Sequence, residues 1–261
     1  MITKELKTID DVISTLGEII NESEKTKNPL GYFAALYQRV TIVVKEGIEK
    51  DYFDDGPRME KLDILFAKRY IDAWYAWKNN EPVTQSWEKA FTLATRKSPL
   101  VFQHLLVGMN AHINLDLGIA AAEISDGETI FKLQADFNKI NEILSSLVDE
   151  VQNNLSSIWP LLRWILSKTG RIDNSLVNFS MKKARDGAWK SATEMAKLPL
   201  EGVSAYIHFR DQKVAVKSKL VTNPGYFVLA LFLLIRVGER GTVADKIGKL
   251  RYKLLKEAGT I

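Results

Sequence analysis

Two histidines and an aspartate, eight and then four residues apart, are the groups in this sequence best spaced to do chemistry together. His104, His112 and Asp116, with Gly108 between them, recur at four-residue intervals, which lines them along one slowly drifting stripe of a helix. A histidine one turn from an aspartate can share a metal ion with it, or act as a base that the carboxylate orients. These three are the candidate catalytic residues. Asn110 and Asn114 form a second polar pair on roughly the opposite side of the same helix, placed to bind substrate. The plain alternative is a structural one: buried polar groups must find partners, because each unpaired one costs about 1–3 kcal/mol.

Two further constellations add charge. In Tyr52-Phe53-Asp54-Asp55-Gly56-Pro57-Arg58-Met59-Glu60, paired aspartates precede a Gly-Pro turn and could hold a divalent cation through carboxylate oxygens. Acidic residues at a helix start are equally expected from capping and the macrodipole. Downstream, Met59, Phe66, Tyr70 and Trp77 form an apolar face into which Asp63 falls, with Arg69 at its border. On a later helix Arg185 lies within the stripe Val177, Met181, Ala188 and Ala192. A carboxylate and a guanidinium on buried faces suggest an internal ion pair of Asp63 with Arg185, or a clamp for an anionic ligand. Asp54, Asp55 and Asp63 are thus the candidate metal ligands, and Arg58, Arg69 and Arg185 join the two asparagines as candidate substrate-binding residues. A divalent metal is the candidate cofactor.

The elements that must position these residues are helical. Apolar positions recur with helical spacing throughout, and few stretches alternate as strands do. Thr8 with Asp11 opens a first helix with a capping box, and Thr242 with Asp245 opens the last one, to about residue 258, in the same way. Between them the pattern predicts helices over about 32–49, 57–77, 84–95, 99–124, 130–158, 175–198, 200–221 and 225–237. The 99–124 segment is apolar on nearly every face, which marks a helix surrounded by others. The 130–158 segment carries the cleanest stripe: Leu133, Phe137, Ile140, Leu144, Leu147 and Val151. No Ser/Gly-rich or Pro-rich linker divides the chain. The expectation is an all-α, single-domain bundle of about nine or ten helices, covering residues 1–261, around a central apolar helix.

Composition excludes several function classes. There is no cysteine among the 261 residues, so disulfides, thiolate catalysis and iron–sulfur clusters are ruled out. Walker, dinucleotide-binding, H-E-x-x-H and G-x-S-x-G motifs are absent. Only three histidines occur, too few for a histidine-rich trinuclear zinc site. From Arg210 onward eleven Lys/Arg face four Asp/Glu, but aromatics are not interleaved with the charges as base stacking would want. No nucleic-acid partner is therefore expected, and the excess reads as a solvated helix face. The most hydrophobic run, 226–235, falls short of the roughly 20 residues that span a bilayer, so no transmembrane segment is expected. The N-terminal residues show no apolar signal region, and the expected location is cytoplasmic.

Several strings carry a resemblance. Asn28-Pro29-Leu30-Gly31-Tyr32-Phe33-Ala34, Tyr52 to Met59, Phe66-Ala67-Lys68-Arg69-Tyr70-Ile71-Asp72-Ala73-Trp74 and the run from His104 to Leu117 are similar to those of an uncharacterised bacterial family of domains of unknown function, over about residues 28–219. That resemblance implies a site rather than a reaction. A slighter one is to class I terpene synthases: Asp54-Asp55 with Glu60 resembles their aspartate-rich motif. Asn141, Ser145 and Asp149 have the spacing of their second metal motif, and Arg251-Tyr252 resembles a C-terminal pair. Gly56-Pro57 departs from the family, since it sets the aspartates at a helix start. The sequence therefore points to an enzyme acting on a small or lipid-like substrate, foremost a metal-assisted hydrolase. The competing expectation is a non-catalytic helical protein that binds a ligand or serves a structural role.

Overall fold

A computed structural model describes residues 5–125, 127–159, 174–223, 225–226, 232–233 and 236–257. Among the described residues there are helices and no strand, as the periodicity requires. They are α1 (Ile9–Thr26), α2 (Gly31–Glu49), α3 (Gly56–Lys78), α4 (Gln85–Ala94), α5 (Val101–Ala111), α6 (Leu117–Glu123), α7 (Gln134–Ile158), α8 (Asn174–Met195), α9 (Leu200–Lys217), α10 (Lys219–Thr222) and α11 (Val243–Glu257). A 3₁₀ segment, Gly127–Leu133, leads into α7. The expected helix over 225–237 falls largely outside the described residues.

Local chemistry explains the boundaries. Both capping boxes form: Thr8 accepts from the Asp11 amide while Asp11 accepts from that of Thr8, and Thr242 and Asp245 exchange the same pair of bonds. The segment read as one helix over 200–221 breaks at Ser218, which is buried and accepts from Asn110.

The apolar helix of the sequence is α5 and α6 joined without a break by a single π turn, His112–Asp116, whose Leu117 amide bonds back to the His112 carbonyl. Val101–Glu123 has a mean hydropathy of 1.3 over its most apolar stretch, and 67% of that stretch is buried. It is long and apolar enough to cross a bilayer by composition, but here it is the core helix. α2 and α4 pack against its first half, while α3 and α8 pack against α6. The approach to α2 is so close that a Cβ on Gly108 would stand 2.7 Å from the Phe33 ring. α11 returns from the far end of the fold to pack on α1, α2 and α7.

Candidate functional site

The core helix delivers His112 and Asp116 to one place, and the π turn is how it does so. A π turn takes more residues per revolution than the 3.6 of an α-helix, so side chains four apart stand almost in line. His112 Nδ1 lies 3.3 Å from Asp116 Oδ2. The same carboxylate accepts from Trp87 Nε1 at 2.8 Å and from Arg69 Nε at 2.9 Å, so the imidazole donates through Nδ1–H. The Asn114 carbonyl, within the turn, accepts from Arg210 Nε at 3.0 Å, which ties α9 to the irregularity. Asn114 donates to Asn110, and Asn110 to the Val214 carbonyl and the Ser218 hydroxyl.

Aromatic rings enclose the imidazole. Phe66 stacks on it with centroids 3.6 Å apart and planes 8° from parallel, and Tyr37 meets it edge-on at 4.4 Å. Burial lowers the His112 pKa against the pull of Asp116, which raises it, so the ring is held as a neutral donor through Nδ1 and acceptor through Nε2. That Nε2 is buried and has no partner among the described residues.

The second feature is a cavity of about 660 Å³, inside the 300–1,000 Å³ range of small-molecule sites. Its walls come from α2 (Tyr37, Val40), α3 (Met59, Asp63, Phe66), the core helix (Met109, Ile113, Leu117), α7 (Ile140, Leu144, Leu147, Val151) and α8 (Met181, Arg185), with His112 at one side. The stripe on α7 that the sequence marks most clearly thus faces open space for four of its six residues, with Leu133 and Phe137 buried beyond it. Closely packed protein interiors hold few voids larger than a water molecule.

The polar groups on this wall are unevenly satisfied. Asn110, Asn114 and Glu239 all have partners, Glu239 binding the Val101 amide, Arg236 and Lys246. Asp63 has none: its Oδ2 is buried and unbonded, and no ion pair reaches it among the described residues. Burial, reinforced by Glu60, pushes its pKa up from 3.8 to about 7. Arg185, 3% exposed, donates through Nη2 to the Phe137 carbonyl at 2.7 Å and lies 4.4 Å over the Phe137 ring. Its Nε has no partner among the described residues, and burial lowers its pKa to about 9. The Tyr37 hydroxyl, near Thr41, also lacks a partner at hydrogen-bond geometry. Nine buried side-chain nitrogen or oxygen atoms lack partners among the described residues, and five of them belong to residues of this one cavity: Tyr37, Asp63, His112, Trp159 and Arg185.

Other expected site residues lie elsewhere. His104 packs on Tyr32 with ring centroids 5.6 Å apart, away from the cavity wall. Burial, with Arg236 and Lys246 nearby, lowers its pKa to about 4, which makes it a neutral core histidine. Asp54 and Asp55 stand ahead of α3, not within a helix. Asp55 caps α3 by accepting from the Arg58 amide at 3.0 Å, and Asp54 pairs with Lys139 at 2.6 Å. Arg58 serves the same junction by binding Asp136 at 3.1 Å, and Arg69 is taken up by Asp116. Neither lines the cavity. Asp63 and Arg185 both line it but make no ion pair with each other, which corrects the expected internal bridge. Among the described residues no three or more His, Asp or Glu are grouped to hold a metal ion. Of the second terpene-synthase-like motif, the Asp149 side chain lies outside the described residues, as does that of Tyr252 and that of Val177 in the α8 stripe.

Sequence reading missed Asp136, which is fully buried and accepts from the amides of Asp54 and Asp55 at 2.7 and 3.0 Å as well as from Arg58. Asp211, also missed, accepts from the first amides of α4, Gln85 and Ser86.

A family model described as a family of unknown function (DUF5995) matches residues 9–224, and the chain belongs to that family. The residues that carried the resemblance lie inside the match. No curated protein and no solved structure matches the chain.

Proposed function

We propose that this protein binds an apolar, lipid-like small molecule in the cavity between α2, α3, the core helix, α7 and α8. One observation carries the reading. A cavity with apolar walls gathers five of the nine buried polar atoms that lack partners among the described residues. Native proteins rarely leave such atoms unpaired, and each instance asks for an explanation. A bound molecule supplies one: apolar walls take its bulk, and the few polar groups fix its orientation.

Acid–base catalysis by the His112–Asp116 dyad finds less support. Its Asp116 carboxylate is already committed to Trp87 and Arg69, and its unpartnered Nε2 belongs with the cavity-lining groups that would orient a ligand. Metal assistance is weakened by the dispersal of the carboxylates. The reading that remains is a binding site whose polar groups orient a ligand.

The test is titration with a fluorescent apolar probe, together with mass spectrometry of solvent extracts from purified protein. Leu144→Trp and Ile113→Trp place a large ring in the cavity. Each should weaken the probe at least about tenfold, equivalent to about 1.4 kcal/mol, with helix content unchanged. Equal probe affinity in wild type and both filled variants, or failure of any apolar probe to bind, overturns the reading.

A further inference from the structure

We infer that the ligand of this cavity is a single-headed anionic amphiphile, a carboxylate or a phosphate monoester, whose head group is held by Arg185. The inference rests on the proposed binding function and names the class of ligand.

Arg185 sits on α8 with Met181 and Ala184 as its neighbours on the cavity wall. Its guanidinium is almost wholly buried and has no carboxylate within ion-pair distance among the described residues. Its one hydrogen bond among the described residues goes to a neutral backbone carbonyl, that of Phe137. The guanidinium carbon lies 4.4 Å over the Phe137 ring, a contact that does not neutralise the charge. A guanidinium offers five N–H donors in a rigid fork, and most of that capacity is unused here. The pKa stays near 9 despite burial, so the group is a cation at neutral pH.

Buried cations are paired or bound to something, because desolvation otherwise goes uncompensated. Asp63 shares the cavity but makes no ion pair with Arg185, and at neutral pH it carries part of a proton. A neutral apolar ligand would leave the cation unanswered, and an amine would repel it. An oxyanion matches the fork through two parallel N–H···O bonds. Around it, Ile140, Leu144, Leu147 and Val151 offer a continuous apolar wall for a chain attached to that head group.

Affinity is measured by displacement of the apolar probe from the full chain with four ligands of one chain length: dodecanoate, dodecyl phosphate, dodecanol and dodecylamine. One of the two anions should bind at least about tenfold more tightly than dodecanol or dodecylamine, and which of the two wins separates the carboxylate from the phosphate. In Arg185→Gln the anion preference should shrink to about threefold or less while dodecanol is unaffected. Arg185→Lys keeps the charge but loses the fork; it should retain an intermediate preference, and it decides the matter if the glutamine variant does not fold. Dodecanol binding with no anion preference in the wild type overturns the inference and leaves the binding function standing. The inference is likewise overturned if both variants keep the full preference. If nothing displaces or binds, both readings fall together.

Discussion

Asp63→Asn tests whether the cavity holds an unpaired carboxyl at the expense of stability. In the folded protein its pKa is about 7 against an ordinary 3.8, and burial is the main cause. Between those values the native state keeps a proton that the unfolded chain has lost, so stability falls as pH rises through this window and is flat above it. At 1.36 kcal/mol per pKa unit the full penalty is about 4 kcal/mol, of which about 3 kcal/mol falls between pH 4.5 and pH 8. Asparagine has nearly the same shape and never ionises, so it escapes this penalty. It also brings an unpaired amide that costs about 1–3 kcal/mol at either pH.

The two effects separate in a double difference. Urea unfolding of wild type and variant at about pH 4.5 and about pH 8 gives four free energies, and the other titrating carboxylates cancel between the proteins. The variant should gain about 2–3 kcal/mol on the wild type in going from the lower to the higher pH. A gain under about 0.5 kcal/mol would mean that Asp63 titrates as a solvated aspartate, and the cavity would then be wet and open rather than a desolvated ligand site.

Two further substitutions distinguish support from site. Asp136→Ala should cost about 3–5 kcal/mol in urea unfolding, because it strips two amides and Arg58 of a buried acceptor; Asp54→Ala, with a mostly exposed side chain, should change stability by about 0.5 kcal/mol or less. Asp116→Asn should destabilise by about 2–4 kcal/mol, since three donors converge on the carboxylate and an amide nitrogen must face one of them; an unchanged or raised melting temperature would show instead that the charge there is strained.

What the sequence made legible was whatever depends on neighbours along the chain. Thr8 with Asp11, and Thr242 with Asp245, announce helix starts because a capping box is complete within four residues. The α7 stripe is legible because burial on one helix face has a fixed period. It shows which face turns inward, but not how far away the facing helices stand, so Leu144 and Leu147 read equally as packed core or as cavity wall. The π turn left no such trace. It differs from an α turn by a single extra residue, and its stabilising donor, Arg210, comes from 96 positions along the chain. Asp136 and Asp211 were illegible for a related reason: their partners are backbone amides, which every residue but proline carries, so no residue type marks the far end of the bond.

The same contrast separates the two halves of the polar constellation. Asp116 and Asp136 are as buried as Asp63, yet each has its acceptors filled by donors from other elements: Trp87 and Arg69 for the first, the α3 entrance for the second. A buried carboxylate satisfied in this way locks elements together, and removing it exposes the unpaired donors. Among the described residues Asp63 ties no element to another, and Arg185 reaches only a backbone carbonyl. Each carries a desolvation cost with no charged partner among the described residues to offset it, and a hydrophobic side chain of similar size would relieve that cost at either position. The His112–Asp116 dyad has the more familiar look of chemistry, but its carboxylate is committed to support by Trp87 and Arg69. The unused capacity for binding lies instead in the two ionisable groups that are buried without a charged partner among the described residues, around an apolar space.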